Sequence, residues 1–162
     1  LLALTRLGSL DKHFKEFNLT DVITKEANTL RKTLPIQIAI TLPKSLRING
    51  DSALIAEVVR ILINNSVAYS GQQKTQITIS ANTKRDDVRV VFRDNGVGVP
   101  KEESEKIFER FYRGKNATKS GVSGHGLGLA LAKQIIESHA GSVQLVYDKK
   151  PGAQFVITFP RA

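Results

Sequence analysis

Hydrophobic residues recur along the chain at two different spacings, which predict helices and strands respectively. Apolar positions three and four apart predict three helices, at about residues 20–32, 52–69 and 127–138. Apolar residues at every second position predict strands, at about residues 36–42, 76–80, 88–92, 143–147 and 155–159. We therefore predict an α+β fold, a two-layer sandwich in which a mixed, mostly antiparallel sheet of about five strands carries three main helices on one face.

Polar residues and glycines set the expected ends of these elements. Thr20 and Asp51 are predicted to cap the first two helices, and Gly141 is the expected glycine at the end of the third. Residues 46–48 are predicted to form a short partner for the first strand, and residues 101–110 a short helix.

Asn65 interrupts the apolar stripe of the second predicted helix. The stripe that begins at Leu54 should continue with an apolar residue at position 65, but Asn65 is found there, and Tyr69 follows one turn later. A carboxamide on a core-facing stripe needs a partner. Two interpretations remain open: a buried Asn65 that the backbone satisfies, or an oxygen ligand that faces a cavity holding a hard cation.

A loop with one carboxylate and two glycines follows the strand at residues 88–92. Its sequence is Asp94-Asn95-Gly96-Val97-Gly98. It presents the Asp94 side chain while Gly96 and Gly98 let the backbone lie close to a neighbouring group. A simple turn is the alternative, because Asp-Asn-Gly is also common turn chemistry.

A second glycine-rich loop opens directly into the third predicted helix. It consists of Gly124, His125, Gly126, Leu127 and Gly128. Free backbone N–H groups at a helix N-terminus bind anions, and glycine allows a phosphate to approach closely. The pattern alone also fits a turn without a ligand.

The segment before this loop, residues 114–123, contains small, polar and basic residues without hydrophobic periodicity. A loop of this length inside a compact domain is commonly functional, so we predict a mobile lid over the glycine-rich helix start. Arg110 and Arg113 border the lid. They are therefore candidates for contact with an anionic ligand.

Composition narrows the possible functions. The chain has 162 residues, a net charge of +9 and no cysteine, which excludes disulfides and cysteine-based metal sites. Its basic residues are scattered without a recognition helix or stacking aromatics beside them, so we do not expect a nucleic-acid partner. The histidines have no metal-ligand spacing, and His13 and His139 are expected at the surface.

Taken in order, the motifs resemble the catalytic, ATP-binding domain of sensor histidine kinases. That domain has the Bergerat fold, which it shares with gyrase B, Hsp90 and MutL. The resemblance extends from about Phe17 to Arg161. It implies a catalytic domain at residues 17–162 with an ATP lid at about residues 113–124. Residues 1–16 would hold the end of the dimerisation helix and a connector.

The resemblance implies a role in ATP binding for each residue that matches a family motif. Asn65 would hold Mg²⁺, and Asp94 would accept a hydrogen bond from the adenine amine, with Tyr69 beside the base. Arg110 and Arg113 would approach the phosphates or steady the lid, and with Asn65 they are the expected catalytic residues. The other expected cofactor-binding residues lie in the two loops: Gly96, Gly98, Gly124, His125, Gly126, Leu127 and Gly128.

Two positions depart from the family pattern. Ile61 stands where the family usually has a second Asn, and Ala68 where it usually has Lys or Arg. We predict weaker binding of the Mg–nucleotide complex, or compensation by the lid residues Lys115 and Lys119. Relatives that hydrolyse ATP have a Glu at the position of Ile61, and Ile cannot act as a general base. The resemblance therefore favours phosphoryl transfer over hydrolysis.

The expected function is that of a protein-histidine kinase domain. It would donate the γ-phosphoryl of ATP to a histidine on the dimerisation domain of the same protein, for relay to a response-regulator aspartate. None of the chain's own histidines lies in the acceptor context. The full-length protein is expected to be a homodimer anchored in the cell membrane, with this domain in the cytoplasm. The alternative is a catalytically weakened, nucleotide-sensing or scaffolding domain of the same fold.

Overall fold

A computed structural model describes residues 14–71, 74–116 and 124–162 of the chain. The helices in these ranges are α1 (Leu19–Arg31), α2 (Ser52–Ala68) and α3 (Gly128–Ser138). The strands are β1 (Lys15–Asn18), β2 (Ile36–Thr41), β3 (Arg47–Gly50), β4 (Thr75–Lys84), β5 (Asp87–Asp94), β6 (Ser142–Leu145) and β7 (Gln154–Pro160).

Five of these strands form one mixed sheet, in the order β2-β4-β5-β7-β6. β2 and β4 are parallel, and every other neighbouring pair is antiparallel. A parallel pair needs a long crossover, which here is the segment that contains α2. The predicted α+β fold, with its mixed five-stranded sheet and three helices, is confirmed.

The helices pack on one face of the sheet, with α2 between α1 and α3. Along β4, Ile77 and Ile79 are buried whereas Gln76 and Thr78 are exposed, as a sheet with one covered face requires. Burying an aliphatic side chain such as Ile79 stabilises the fold by roughly 1.5–3 kcal/mol. This packing holds the C-terminal end of α2 beside the end of β5.

The structure corrects the prediction for the N-terminal segment. Residues 15–18, expected as a connector, form β1, which pairs antiparallel with β3. The strand predicted around residues 46–48 therefore pairs with β1 rather than with β2. Asn18 and not Thr20 caps α1: the Asn18 Oδ1 atom accepts hydrogen bonds from the Thr20 N–H (3.2 Å) and from the Leu46 N–H (2.9 Å). That second bond depends on the strand pair, which local sequence does not show.

The end of α3 also differs from prediction by one residue. The left-handed residue is Ala140, with φ of 54°, and the Gly141 N–H donates to the Ile136 carbonyl at 2.9 Å. Gly141 is required for another reason. A Cβ there would lie 2.6 Å from the Thr158 carbonyl oxygen, so the glycine lets the helix end approach β7 closely.

The short helix predicted over residues 101–110 is instead two 3-10 turns, at Lys101–Glu103 and Lys106–Phe108. The Glu103 N–H bonds the Pro100 carbonyl at 2.9 Å, and the Phe108 N–H bonds the Glu105 carbonyl at 3.3 Å. These bonds span three residues rather than four, which limits each turn to a few residues.

His139, which was expected at the surface, is buried with 4% of its area exposed. Its Nδ1 atom lies 2.7 Å from the Ile135 carbonyl and donates to it, so Nε2 accepts from the Asp51 N–H at 3.0 Å. Burial lowers the pKa of His139, which keeps the ring neutral. The side chain thereby ties the end of α3 to the start of α2.

Candidate functional site

A cavity of about 340 Å³ opens between the C-terminal half of α2, the loop after β5 and the start of α3. Its volume falls within the range of about 300–1,000 Å³ that is typical of small-molecule sites. The predicted site residues that line it are Asn65, Tyr69, Asp94, Gly98, Arg113, Gly124, His125, Gly126, Leu127 and Gly128. The fold therefore brings motifs that are far apart in sequence to one place.

Two predicted site residues, Gly96 and Arg110, are not among the described residues that line the cavity. Gly96 lies behind Asp94, and a Cβ on it would come within 2.3 Å of the Tyr69 carbonyl oxygen. Arg110 is exposed, and its guanidinium donates to Gln134 of α3 at 3.4 Å. Gly96 thus serves close packing, and the predicted contact of Arg110 with phosphate stays a prediction.

Asp94 presents an acceptor to the cavity from a nearly buried position. Only 8% of its area is exposed. Its Oδ1 atom accepts from the N–H groups of Gly96 (2.9 Å) and Ala153 (3.0 Å), and its Oδ2 atom lies 3.2 Å from Ser66 Oγ. A carboxylate has about four acceptor positions, so one position on Oδ2 remains for a ligand that donates a hydrogen bond.

The turn before β7 supports Asp94 from behind. The Asp94 N–H donates to the Ala153 carbonyl at 3.0 Å, and the Ala153 N–H returns to the Asp94 side chain. Gly152 has φ of 90°, and a Cβ there would lie 1.9 Å from the Asp94 carbonyl oxygen. Only glycine fits this approach, so the hairpin between β6 and β7 belongs to the site.

Asn65 projects from α2 at the same cavity and is half-buried. Its backbone carbonyl accepts from the Tyr69 N–H at 3.0 Å, but within the described residues its side-chain amide makes no hydrogen bond. Of the two interpretations left open by the sequence, this arrangement favours a carboxamide that is available to a ligand. Ala68, one turn from Asn65, lines the same cavity and is exposed.

Glu103 forms part of the opposite wall and is only 2% exposed. Both carboxylate oxygens lie 3.3 Å from the Lys115 N–H, and a Cβ on Gly114 would fall 2.4 Å from one of them. The Asn116 amide donates to the Gly98 carbonyl at 3.1 Å. The first residues after Arg113 are therefore tied to the cavity wall. Residues 117–123 of the predicted lid lie outside the described residues.

The glycine-rich loop before α3 packs on an unusual turn. Phe111 has φ of 65° although it is not glycine, and its N–H donates to the Gly126 carbonyl at 2.9 Å. Gly126 has φ of 67°, and a Cβ there would lie 2.6 Å from the Tyr112 carbonyl oxygen. By contrast, no atom of the described residues lies within 4 Å of the Cβ position of Gly124. Gly126 is thus fixed by packing, whereas Gly124 leaves space beside the N-terminus of α3.

The charges in the cavity wall favour a ligand with both donors and anionic groups. Asp94 and Glu103 are acidic, while the Arg113 guanidinium is a cation in the same lining. Burial, and after it the nearby Glu103 carboxylate, raises the pKa of Tyr112, which keeps that phenol protonated at neutral pH. Across the part of the chain that the structure describes, no cluster of three or more His, Cys, Asp or Glu residues can hold a metal ion.

Comparison with known proteins agrees with this geometry. The family model described as histidine kinase-, DNA gyrase B- and HSP90-like ATPase matches residues 50–162. The chain belongs to this family. The match includes α2, both glycine-rich loops and the turn that supports Asp94.

Three similar proteins extend the comparison beyond the family model. The sensor-like histidine kinase SenX3 of Mycolicibacterium smegmatis is 31% identical to this chain. The matched region covers 99% of this chain and 43% of SenX3. The ATP-binding domain of PrrB from Mycobacterium tuberculosis is 26% identical with a TM-score of 0.74, covering 93% of this chain and 98% of that one. Histidine kinase ThkA was solved in complex with the response regulator protein TrrA. It is 26% identical with a TM-score of 0.72, and the match covers 92% of this chain and 42% of that one. The chain spans less than half the length of SenX3.

Sequence reasoning missed the residues that support the site from outside the motifs: Ser66, Glu103, Gly152 and Ala153. The Pro-Gly pair at residues 151–152 was recognisable, but only as a hairpin turn. Ser66, directly after Asn65, carried a usable signal, because a hydroxyl next to a candidate ligand on a buried helix face needs an acceptor. Glu103 and Ala153 are defined by tertiary contacts alone.

Proposed function

We propose that residues 17–162 are the ATP-binding catalytic domain of a sensor histidine kinase. The observation that carries this proposal is Asp94. It is a nearly buried carboxylate whose protein partners all donate, and it keeps one acceptor position towards a cavity that ends at a glycine-rich helix start. An exocyclic amine on a base can donate to Asp94 at one end of the cavity, and phosphates can accept from the N–H groups at the α3 N-terminus at the other end.

The residues present fit a nucleotide. Tyr69 and Gly98 line the cavity beside Asp94, where a base would lie. Among residues 14–71, 74–116 and 124–162, no atom lies within 4 Å of the Cβ position of Gly124, and the first N–H groups of α3 lack partners within the helix, so a phosphate can lie there. Arg113 lines the same region and would neutralise part of the phosphate charge. Phosphoryl transfer depends mainly on such positioning and charge neutralisation.

Mg²⁺ fits this site only together with a nucleotide. Asn65 supplies one uncommitted side-chain oxygen, and Mg²⁺ commonly takes one or two protein ligands plus phosphate oxygens and water. When bound, the ion would supply charge neutralisation to the β- and γ-phosphates. Ile61 contributes no ligand; it lies against the start of α3, where its Cγ2 atom is 3.4 Å from the Cβ position of Gly128. With Ala68 it is the reason to expect weaker binding of the Mg–nucleotide complex.

The acceptor of the phosphoryl group would be a histidine on a dimerisation domain of the same protein, and the next acceptor a response-regulator aspartate. The support for the second partner is that ThkA, a similar kinase, was solved in complex with the response regulator protein TrrA. Residues 1–13, which would hold the end of the dimerisation helix, lie outside the described residues. We infer a homodimer for the full-length protein and propose no nucleic-acid partner.

We propose a cytoplasmic position for this domain within a membrane-anchored receptor, because ATP is the substrate and the related SenX3 is a sensor-like kinase. Within residues 14–71, 74–116 and 124–162, no helix combines the length and hydropathy that a bilayer span requires.

Calorimetric binding of a non-hydrolysable ATP analogue to this chain and to Asp94→Asn tests the proposal, with and without Mg²⁺. In the variant, the Asn oxygen can keep both backbone bonds made by Oδ1. Its NH₂ group then faces the adenine amine, and because both groups are donors they cannot form a hydrogen bond. We expect at least about thirtyfold weaker binding, equivalent to roughly 2 kcal/mol. The free energy of unfolding should change by less than about 1 kcal/mol.

Each outcome of this experiment has a distinct meaning. Binding that depends on Asp94 and strengthens with Mg²⁺ supports both the nucleotide site and Asn65 as a metal ligand. Binding that depends on Asp94 but ignores Mg²⁺ would favour the catalytically weakened alternative. Absence of binding by the unaltered chain would contradict the nucleotide proposal. Transfer of radiolabelled phosphate from ATP to a supplied histidine-containing dimerisation domain then tests the kinase activity itself.

A further inference from the structure

Ser66 holds the side chain of Asp94 from the helix side of the cavity. It is buried, with 7% of its area exposed, on the same turn of α2 as Asn65. Its hydroxyl oxygen lies 3.2 Å from Asp94 Oδ2 and 3.1 Å from the Leu62 carbonyl oxygen. A serine hydroxyl has a single proton, so it donates to one of these acceptors at a time, and the charged carboxylate oxygen is the stronger acceptor of the two.

The three hydrogen bonds to the Asp94 side chain constrain different parts of the carboxylate. The backbone N–H groups of Gly96 and Ala153 both donate to Oδ1, so together they fix the position of one oxygen. The terminal torsion of an aspartate is broad, so bonds to a single oxygen leave the carboxylate plane free to rock. Ser66 is the only side chain in the described residues that bonds Oδ2. It therefore fixes the plane and the direction of the remaining acceptor position.

We infer that Ser66 is a positioning residue that makes the site selective for a purine with a 6-amino group. This inference rests on the proposed nucleotide function and deepens it. Ser66 occupies one side of Oδ2 as a donor, so the ligand meets a single acceptor position of fixed direction. A base edge that donates a hydrogen bond at that point is accepted. A base without that donor leaves a nearly buried carboxylate oxygen unpaired, which is disfavoured.

The test combines one change in the protein with one change in the ligand. ATP and purine riboside triphosphate differ only in the 6-amino group, so their ratio of dissociation constants reports the hydrogen bond to Asp94. We expect the unaltered chain to prefer ATP by about tenfold, and Ser66→Ala to reduce this preference to about threefold or less. Binding of purine riboside triphosphate itself should change by less than about twofold, because it never uses that bond.

Two further variants separate positioning from packing. Ser66→Cys keeps the shape of the side chain but is a weak donor, so it should lose selectivity as Ser66→Ala does. Ser70→Ala is the matched control: Ser70 Oγ donates to a backbone carbonyl of α2, that of Val67 at 3.0 Å, and makes no bond to Asp94. This control should keep the full preference for ATP. Urea unfolding of each variant shows whether it is folded at the assay temperature.

The outcomes distinguish this inference from the function on which it rests. An ATP preference that is equal in the unaltered chain, Ser66→Ala and Ser66→Cys would overturn the inference and leave the nucleotide site intact. Equal weakening of both ligands by Ser66→Ala would also overturn it, because that pattern indicates a structural role only. Failure of the unaltered chain to bind ATP would overturn the proposed function, and this inference with it.

Discussion

Replacing Gly152 by alanine should displace Asp94 and so distort the cavity, although Gly152 does not itself line it. The new Cβ would lie 1.9 Å from the Asp94 carbonyl oxygen and 2.9 Å from Asp94 Oδ1. Real Cβ contacts are longer, so the turn before β7 must move away from β5. That movement would stretch the paired bonds between Asp94 and Ala153, which are 3.0 Å long in both directions.

The size of this effect follows from two separate costs. Gly152 has φ of 90°, and forcing a residue with a side chain into a left-handed conformation costs roughly 1–2 kcal/mol. Overpacking a filled site adds typically about 1–3 kcal/mol. We therefore expect Gly152→Ala to lower the free energy of unfolding by about 2–5 kcal/mol, a large share of the 5–15 kcal/mol that is typical of a domain.

Urea denaturation followed by circular dichroism measures the loss of stability, and calorimetry with an ATP analogue measures the loss of binding. Binding should weaken at least tenfold, because Asp94 loses one of the two bonds that fix Oδ1. Gly124→Ala is the matched control for stability, since its Cβ position has no neighbour within 4 Å in the part of the chain that the structure describes. A decrease of less than about 1 kcal/mol for Gly152→Ala would refute the packing argument.

Two further predictions concern His139 and Ala68. Burial lowers the pKa of His139, so as the pH falls the unfolded chain binds a proton at this ring before the folded chain does. The neutral, buried ring therefore contributes its full stability above the unfolded pKa of about 6.5, and this contribution is lost as the pH falls below that value. Urea midpoints at pH 7.5 and 5.5 should therefore differ more for the unaltered chain than for His139→Gln, and equal differences would contradict this assignment. Ala68 is exposed in the cavity wall, so Ala68→Lys should tighten Mg–ATP binding about tenfold by adding a cation near the phosphates. In calorimetry Ala68→Gln should show no such gain, and an increase below about twofold for the lysine variant would mean that Ala68 does not face the phosphates.

The parts of the fold and the site that depend on periodic patterns and local motifs could be predicted from the sequence. The helices, the five sheet strands and the two glycine-rich loops at the main cavity follow from alternation, helical spacing and local motifs. Asp94 is an example, because its motif is contiguous and its side chain lies where the strand ends. The departures at Ile61 and Ala68 were visible for the same reason, although their effect on Mg²⁺ binding stays a prediction.

The sequence could not show features that arise when distant segments meet. His139 is buried because Gly50 leaves room for its ring: a Cβ on that glycine would lie 2.2 Å from the ring carbon Cδ2. Gly152 looked like an ordinary turn residue until β7 was placed beside β5. In each case a long-range contact overrides a local preference.

The position of β7 in the sheet sets an order of events during synthesis of the chain. β7 lies between β5 and β6 although it is the last of these strands to leave the ribosome. Until residues 153–160 have emerged, β5 has an open edge and the Asp94 side chain lacks the N–H of Ala153. A nascent chain can form its helices and the β4–β5 hairpin earlier, but the end of the cavity at Asp94 is completed only when β7 is added. ATP would therefore bind and stabilise finished domains and not partly synthesised ones.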